Sequence, residues 1–238
     1  MMQSFQNNYE EVKKTIESTV KNSFSYDKSN RLSESFSFVN DYEFWIELLI
    51  NNKEVSLYKS ALNEYIVGHI LLIEGFYKQA FMCLRCFLEQ TLFGVKLSIN
   101  HLDVRNWLND KKDVTWASIK DNESGLFSDS YLLAFFPGSE EYSEQYQKMA
   151  KDVYRECSEF VHSNFHTHNL SEDLLFKKEA FDLWMDKTKV IQCIIVFSLF
   201  VRFNDLLTTK EIIKNSESIV MDKIGYISSI SSFYKREV

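Results

Sequence analysis

One proline and six glycines are spread over 238 residues. So few breakers leave long stretches in which nothing interrupts a helix, because an interior proline costs about 3 kcal/mol and a glycine about 1 kcal/mol. Within those stretches apolar residues recur at three- and four-residue spacing, and none alternates as a half-buried strand would. The pattern predicts an all-α chain, one domain over residues 1–238, folded as a single irregular bundle of about seven or eight helices. A hydrophobic share of 45% over this length supports a full core without covalent staples.

The helical spans read as 3–22, 40–51, 54–73, 76–98, 140–163, 172–207 and 209–235, with an irregular middle over 100–137. The polar run NSFSYDKSNRLSES reads as a loop. Start signals are Asn40 or Asp41, Asn100 with Asp103 three residues on, Ser139, Ser171, and Thr208 with Glu211 three further. Gly75 marks a break, and Pro137 with Gly138 is the clearest punctuation in the chain. The most apolar run, VIQCIIVFSLFV at 190–201, is flanked by Lys189 and Arg202. It is too short to cross a bilayer and reads as a buried core helix, so no membrane association is expected.

A net charge of −7 disfavours general binding to duplex nucleic acid, though not a local grip on a short RNA. The N-terminal MMQSFQNNYEEVKK lacks the pattern of an export signal, so a cytoplasmic protein with reduced thiols is expected. Cys83 and Cys86 have the spacing of a redox or zinc pair, but they fall inside a helical pattern and read as packing residues. On the same helix Lys78, Arg85, Glu89 and Lys96 fall on one stripe. Arg85 and Glu89 read as a surface i,i+4 pair worth a few tenths of a kcal/mol.

The helix 140–163 carries the most specific signal. Tyr142, Tyr146, Met149, Val153, Cys157 and Phe160 recur at helical spacing and form its core stripe. Arg155 and His162 each lie two residues beyond a stripe member, about 200° round the helix, and so face away from the core. Seven residues apart, they share a face at roughly 10 Å of rise. His162 sits near a helix end, where terminal carbonyls favour the imidazolium and suit the ring to acid–base work near neutral pH.

Arg155 and His162 in RECSEFVH make an R-x6-H motif, with Glu156 as the polar residue after the arginine. The motif resembles the R-x4–6-H signature of HEPN domains, all-helical bundles of prokaryotic toxins and antiphage systems. The segment FYKQAFMCLRCFLEQTL is similar to the LR…E helix of HEPN-like proteins, and Y-x3-S-x2-VH to their later helix. The resemblance spans residues 54–207. It implies a metal-independent endoribonuclease without cofactor, in which two protomers bring Arg155 and His162 to a shared cleft. His162 would move protons at the 2′-hydroxyl or the leaving oxygen, and Arg155 would hold the scissile phosphate. Glu156, Glu159, His166, Arg85 and Glu89 are candidate supporting residues. The implied partners are RNA, a second copy of the chain and a protein of a defence or toxin–antitoxin system.

Two other readings compete. His162 and His166, with His168, would have zinc-ligand spacing if the helix continued through them. An acidic all-helical chain with wide apolar faces also fits a non-catalytic adaptor or inhibitory subunit of a defence complex.

Overall fold

A computed structural model of the chain describes residues 2–162 and 164–237; the side chains of Met2, Gln3, His166, Arg236 and Glu237 lie outside that description. The described residues are 78% helical with no strand. The α-helices are α1 (Met2–Tyr26), α2 (Arg31–Leu48), α3 (Val55–Ile73), α4 (Tyr77–Leu97), α5 (His101–Leu108), α6 (Trp116–Ile119), α7 (Asp129–Phe135), α8 (Ser143–Val161), α9 (Phe165–Ser171), α10 (Lys178–Phe203), α11 (Lys210–Ile224) and α12 (Ser228–Glu237). Short 3₁₀ turns, Glu140–Tyr142 and Asn204–Leu206, precede α8 and follow α10.

The all-α class is as expected, but twelve helices replace the expected seven or eight among the described residues. Part of the excess is the irregular middle, which forms three short helices. Asn100 caps the first of these, accepting from the Leu102 N–H at 2.9 Å. The single span expected over 209–235 is split after Gly225 into α11 and α12. Its start lies one residue later than expected: Thr209, not Thr208, accepts from the Ile212 N–H.

Four further expectations are corrected. The polar run after residue 21 is mostly helix, because Asp27 accepts from the Arg31 and Leu32 N–H groups at 2.9 Å and starts α2 there. Asn40 and Asp41 therefore lie inside a helix rather than capping one. Ser139 turns back to the Phe136 carbonyl and caps nothing. Ser171 ends α9 instead of starting the long helix. The intervening segment is turned by Asp173, which accepts from the Leu175 N–H, and by the Tyr77 hydroxyl, which accepts from the Lys177 N–H.

α3 and α4 form the most extensive helix pair. Gly75, at φ 86°, makes the reversal between them in the left-handed region. Gly94 permits their close approach, since a Cβ there would stand 2.6 Å from the Tyr58 ring. α10 lies against α4, α8, α2 and α11 and is buried on nearly every side; Ile194 through Val201 are all buried. α8 is clamped by stacked rings: Phe160 on Phe81 of α4, and Tyr146 on Phe197 of α10, each at 3.7 Å between centroids.

One polar network runs through this core. His69 is 5% exposed. Its Nδ1–H donates to the Tyr65 carbonyl at 2.9 Å, which leaves Nε2 to accept from the Ser35 hydroxyl at 2.9 Å. The Tyr65 hydroxyl donates to the Ser35 carbonyl at 2.7 Å and accepts from Gln192 at 2.7 Å. Burial pushes the His69 pKa down to about 4, against a weaker opposing effect of the Tyr65 carbonyl. Because the folded pKa lies below the unfolded one, the neutral ring's contribution is complete above about pH 6.5 and is lost as pH falls towards 4, a total of about 3 kcal/mol. Urea unfolding across this window should show a steeper loss of stability on acidification for the wild type than for His69→Gln; parallel profiles would contradict the assignment.

Candidate functional site

The stripe expected on α8 faces the core: Tyr146, Val153, Cys157 and Phe160 are buried, and Tyr142 and Met149 pack against them half-buried. This fixes the helix rotation and turns Arg155 outward, with 67% of its side chain exposed. α8 ends at Val161, and His162 occupies the C-cap, its N–H bonded to the Ser158 carbonyl at 3.2 Å. His162 is also exposed. Both candidate catalytic side chains therefore stand on the solvent side of the last two turns of one helix.

Charges on the same face give this strip its local field. Asp152 lies 3.6 Å from the Arg155 guanidinium, one turn back, and 2.6 Å from Lys148. The Lys148 hydrogen bond, then the charges of Lys148, Arg155 and Lys187, hold the Asp152 carboxyl below its usual value. Lys151 stands a further turn from His162, four residues before Arg155, so Lys151, Arg155 and His162 share one line. Lys148, Lys151 and Arg155 are thus interleaved with Asp152 and Glu159 along this face of the helix.

The supporting residues are placed differently from one another. Glu159 is half-buried beside the pair, and its carbonyl accepts from the Thr167 hydroxyl at 3.0 Å, which folds α9 back onto α8. Glu156 points to α10 and pairs with Lys187. His166 lies in α9, with its side chain outside the described residues.

Arg85 and Glu89 do not join Arg155 and His162. They form a 3.2 Å ion pair with only 23% and 18% of their side chains exposed, which is more buried than a surface pair. Arg85 donates to the Tyr154 hydroxyl at 2.6 Å and lies over its ring at 4.4 Å, and Tyr154 stacks on Trp116 at 4.0 Å. Tyr154 is the neighbour of Arg155 in sequence but points about 100° away from it. Arg85 therefore braces α8 against α4 from the flank of the helix.

The thiols are held protonated. Burial, then the Glu64 carboxylate, pushes Cys83 up to about 12; burial also raises Cys86, and it raises Cys157 to about 12. His162 and His166 do not share a helix, because α8 stops at Val161 and α9 begins at Phe165. Among the described residues no group of three or more His, Cys, Asp or Glu side chains could hold a metal ion.

A second polar site went unnoticed in the sequence. A cleft of about 310 Å³ is lined by Lys53, Glu54, Ser98, His101, Arg202 and Asp205, among others. These residues come from three separated segments, so no spacing announces them. Glu54 is 4% exposed and accepts from the Asn52 amide at 3.0 Å. Arg202 donates to the Ser98 carbonyl at 2.8 Å and lies over Phe135 and Phe203.

No protein-family model, curated protein or solved structure matches the chain, so its function has to be argued from its own residues.

The two arginines separate a structural role from a solvent-facing one. Arg85→Ala should lower stability by about 2–3 kcal/mol, because it leaves a half-buried carboxylate and a tyrosine hydroxyl without their partner. Arg155→Ala should change it by no more than about 0.5 kcal/mol. Denaturant midpoints of the two variants check this; equal losses would refute the division.

Proposed function

We propose that the chain is a metal-independent endoribonuclease of the HEPN type, acting as a toxin or antiphage effector, with Arg155 and His162 from two protomers at a shared cleft. One observation carries the reading: Arg155 and His162 are both exposed at the end of a helix whose opposite face is committed to the core. A rigid element holding reactive groups in solvent is what positional catalysis requires. Lys151 on the same line offers a further phosphate contact in a chain of net charge −7.

The chemistry divides between the two residues. His162 takes the proton from the attacking 2′-hydroxyl, and its oxygen forms a bond to the adjacent phosphorus. The bond from phosphorus to the 5′-oxygen breaks, that oxygen takes a proton from water, and His162 returns to water the proton it accepted. The products are a 2′,3′-cyclic phosphate and a free 5′-hydroxyl, and no redox partner or metal is consumed. The planar guanidinium of Arg155 stabilises charge building on the non-bridging phosphate oxygens, a task for which a point charge is a poor substitute.

Cleavage of a single-stranded RNA pool should therefore proceed in EDTA. His162→Ala should reduce the rate by at least about 100-fold. Arg155→Lys should reduce it by roughly ten-fold or more. Both variants should keep the wild-type circular dichroism, and expression of the wild type but not of His162→Ala should slow growth of a host cell. Folded variants that match the wild type in every RNA and growth assay would end this reading and leave the non-catalytic adaptor in its place.

A further inference from the structure

The apolar face of α1 is longer than the body it packs on. Phe5, Tyr9, Val12, Ile16, Thr19 and Ser23 lie on one line at alternating four- and three-residue spacing. The inner end of that line is anchored: the Thr19 hydroxyl donates to the Leu174 carbonyl at 2.6 Å and the Ser23 hydroxyl to the Ile73 carbonyl at 3.1 Å. The outer end is bare, with Phe5 73% exposed, Tyr9 58% and Val12 43%. Residues 4–14 of α1 are exposed throughout, so this half of the helix projects from the bundle.

Beside the anchored end lies an unfilled groove of about 460 Å³ between α1, α2 and α3. Its walls include Phe24, Leu32, Phe36, Val39, Ile70 and Ile73. Phe24, Phe36 and Ile70 are 58%, 43% and 46% exposed. The chain thus displays an aromatic helix stripe and an apolar groove, and it cannot join them to each other. Phe5 and Phe24 belong to one unbroken helix, which holds them about 28 Å apart.

We propose that the projecting half of α1 from a second copy of the chain fills this groove, reciprocally, as a two-fold dimer. Reciprocity matters because a stripe docked into another molecule's groove closes after two copies only if both exchange at once. The exposed apolar side chains of stripe and groove offer about 600 Å² per protomer, estimated from aromatic areas of roughly 150–250 Å² each. The two-fold doubles this to about 1,200 Å², the lower bound for a stable specific interface. The bond from Thr19 to Leu174 places the root of α1 on the connection between α9 and α10. The dimer stands on these observations alone and does not rest on the ribonuclease reading.

Light scattering during gel filtration, at tens of micromolar, should give a dimer for the wild type. Tyr9→Asp and Ile70→Glu should each give a monomer with unchanged circular dichroism, since both side chains are exposed. Chains carrying Tyr9→Cys mixed with chains carrying Ile70→Cys should form a disulfide-linked pair under mild oxidation, with the wild type as the control for its own thiols. A monomeric wild type would overturn the proposal. So would a dimer indifferent to both substitutions, or Tyr9→Cys chains that link to each other in preference to Ile70→Cys chains.

Discussion

The packing of α10 on nearly every side organises the molecule. A helix with Ile194 through Val201 all buried cannot sit at a surface, so α2, α4, α8 and α11 must surround it. The remaining elements are positioned on that shell. Phe197 of α10 stacks on Tyr146 and fixes the rotation of α8 from below, while Phe81 stacks on Phe160 and fixes it from the side. Lys187 of α10 adds an ion pair to Glu156. The outward direction of Arg155 follows from these contacts and owes little to its own.

The two faces of α8 are chemically separate: one is committed to the core and the other carries Arg155 and His162 in solvent. Removing a buried ring of the stripe opens a cavity, and such losses reach about 3–5 kcal/mol for an aromatic residue. Removing an exposed arginine or histidine leaves packing untouched. Substitutions on the exposed face can therefore be made without loss of the fold. Arg85 clarifies the division, because it resembles a surface charge in sequence yet spends its donors on Glu89 and Tyr154.

Much of the fold was legible in the sequence because long periodic segments announce themselves. The spans 54–73 and 76–98 match α3 and α4 to within a residue at each end, and the run 190–201 is the buried heart of α10. Errors gathered where one side chain decides an end. Asp27 begins α2 well before any apolar periodicity is visible, and Gly225 ends α11 in the middle of a pattern that continues. The outward face of α8 followed from the spacing of Tyr146, Val153, Cys157 and Phe160. What spacing could not reveal was depth: Arg85 and Glu89 look like an ordinary i,i+4 pair until Tyr154 and Trp116 cover them. Nor could it join residues remote in sequence, which is why the cleft of Glu54, His101 and Arg202 and the network of Ser35, His69 and Gln192 emerged only in three dimensions. His69 did leave one trace, as a lone polar residue in the apolar run of α3.

The central claim is that the exposed end of α8 meets RNA while the interior only supports it. Imidazole resonances of the five histidines, followed as a 2′-deoxy oligonucleotide that cannot be cleaved is titrated in, test this most directly. The account predicts that the His162 ring signals shift and saturate with the oligonucleotide, while those of the buried His69 stay in place. An oligonucleotide that leaves His162 unmoved, or that perturbs only His101 beside the Arg202 cleft, would contradict it.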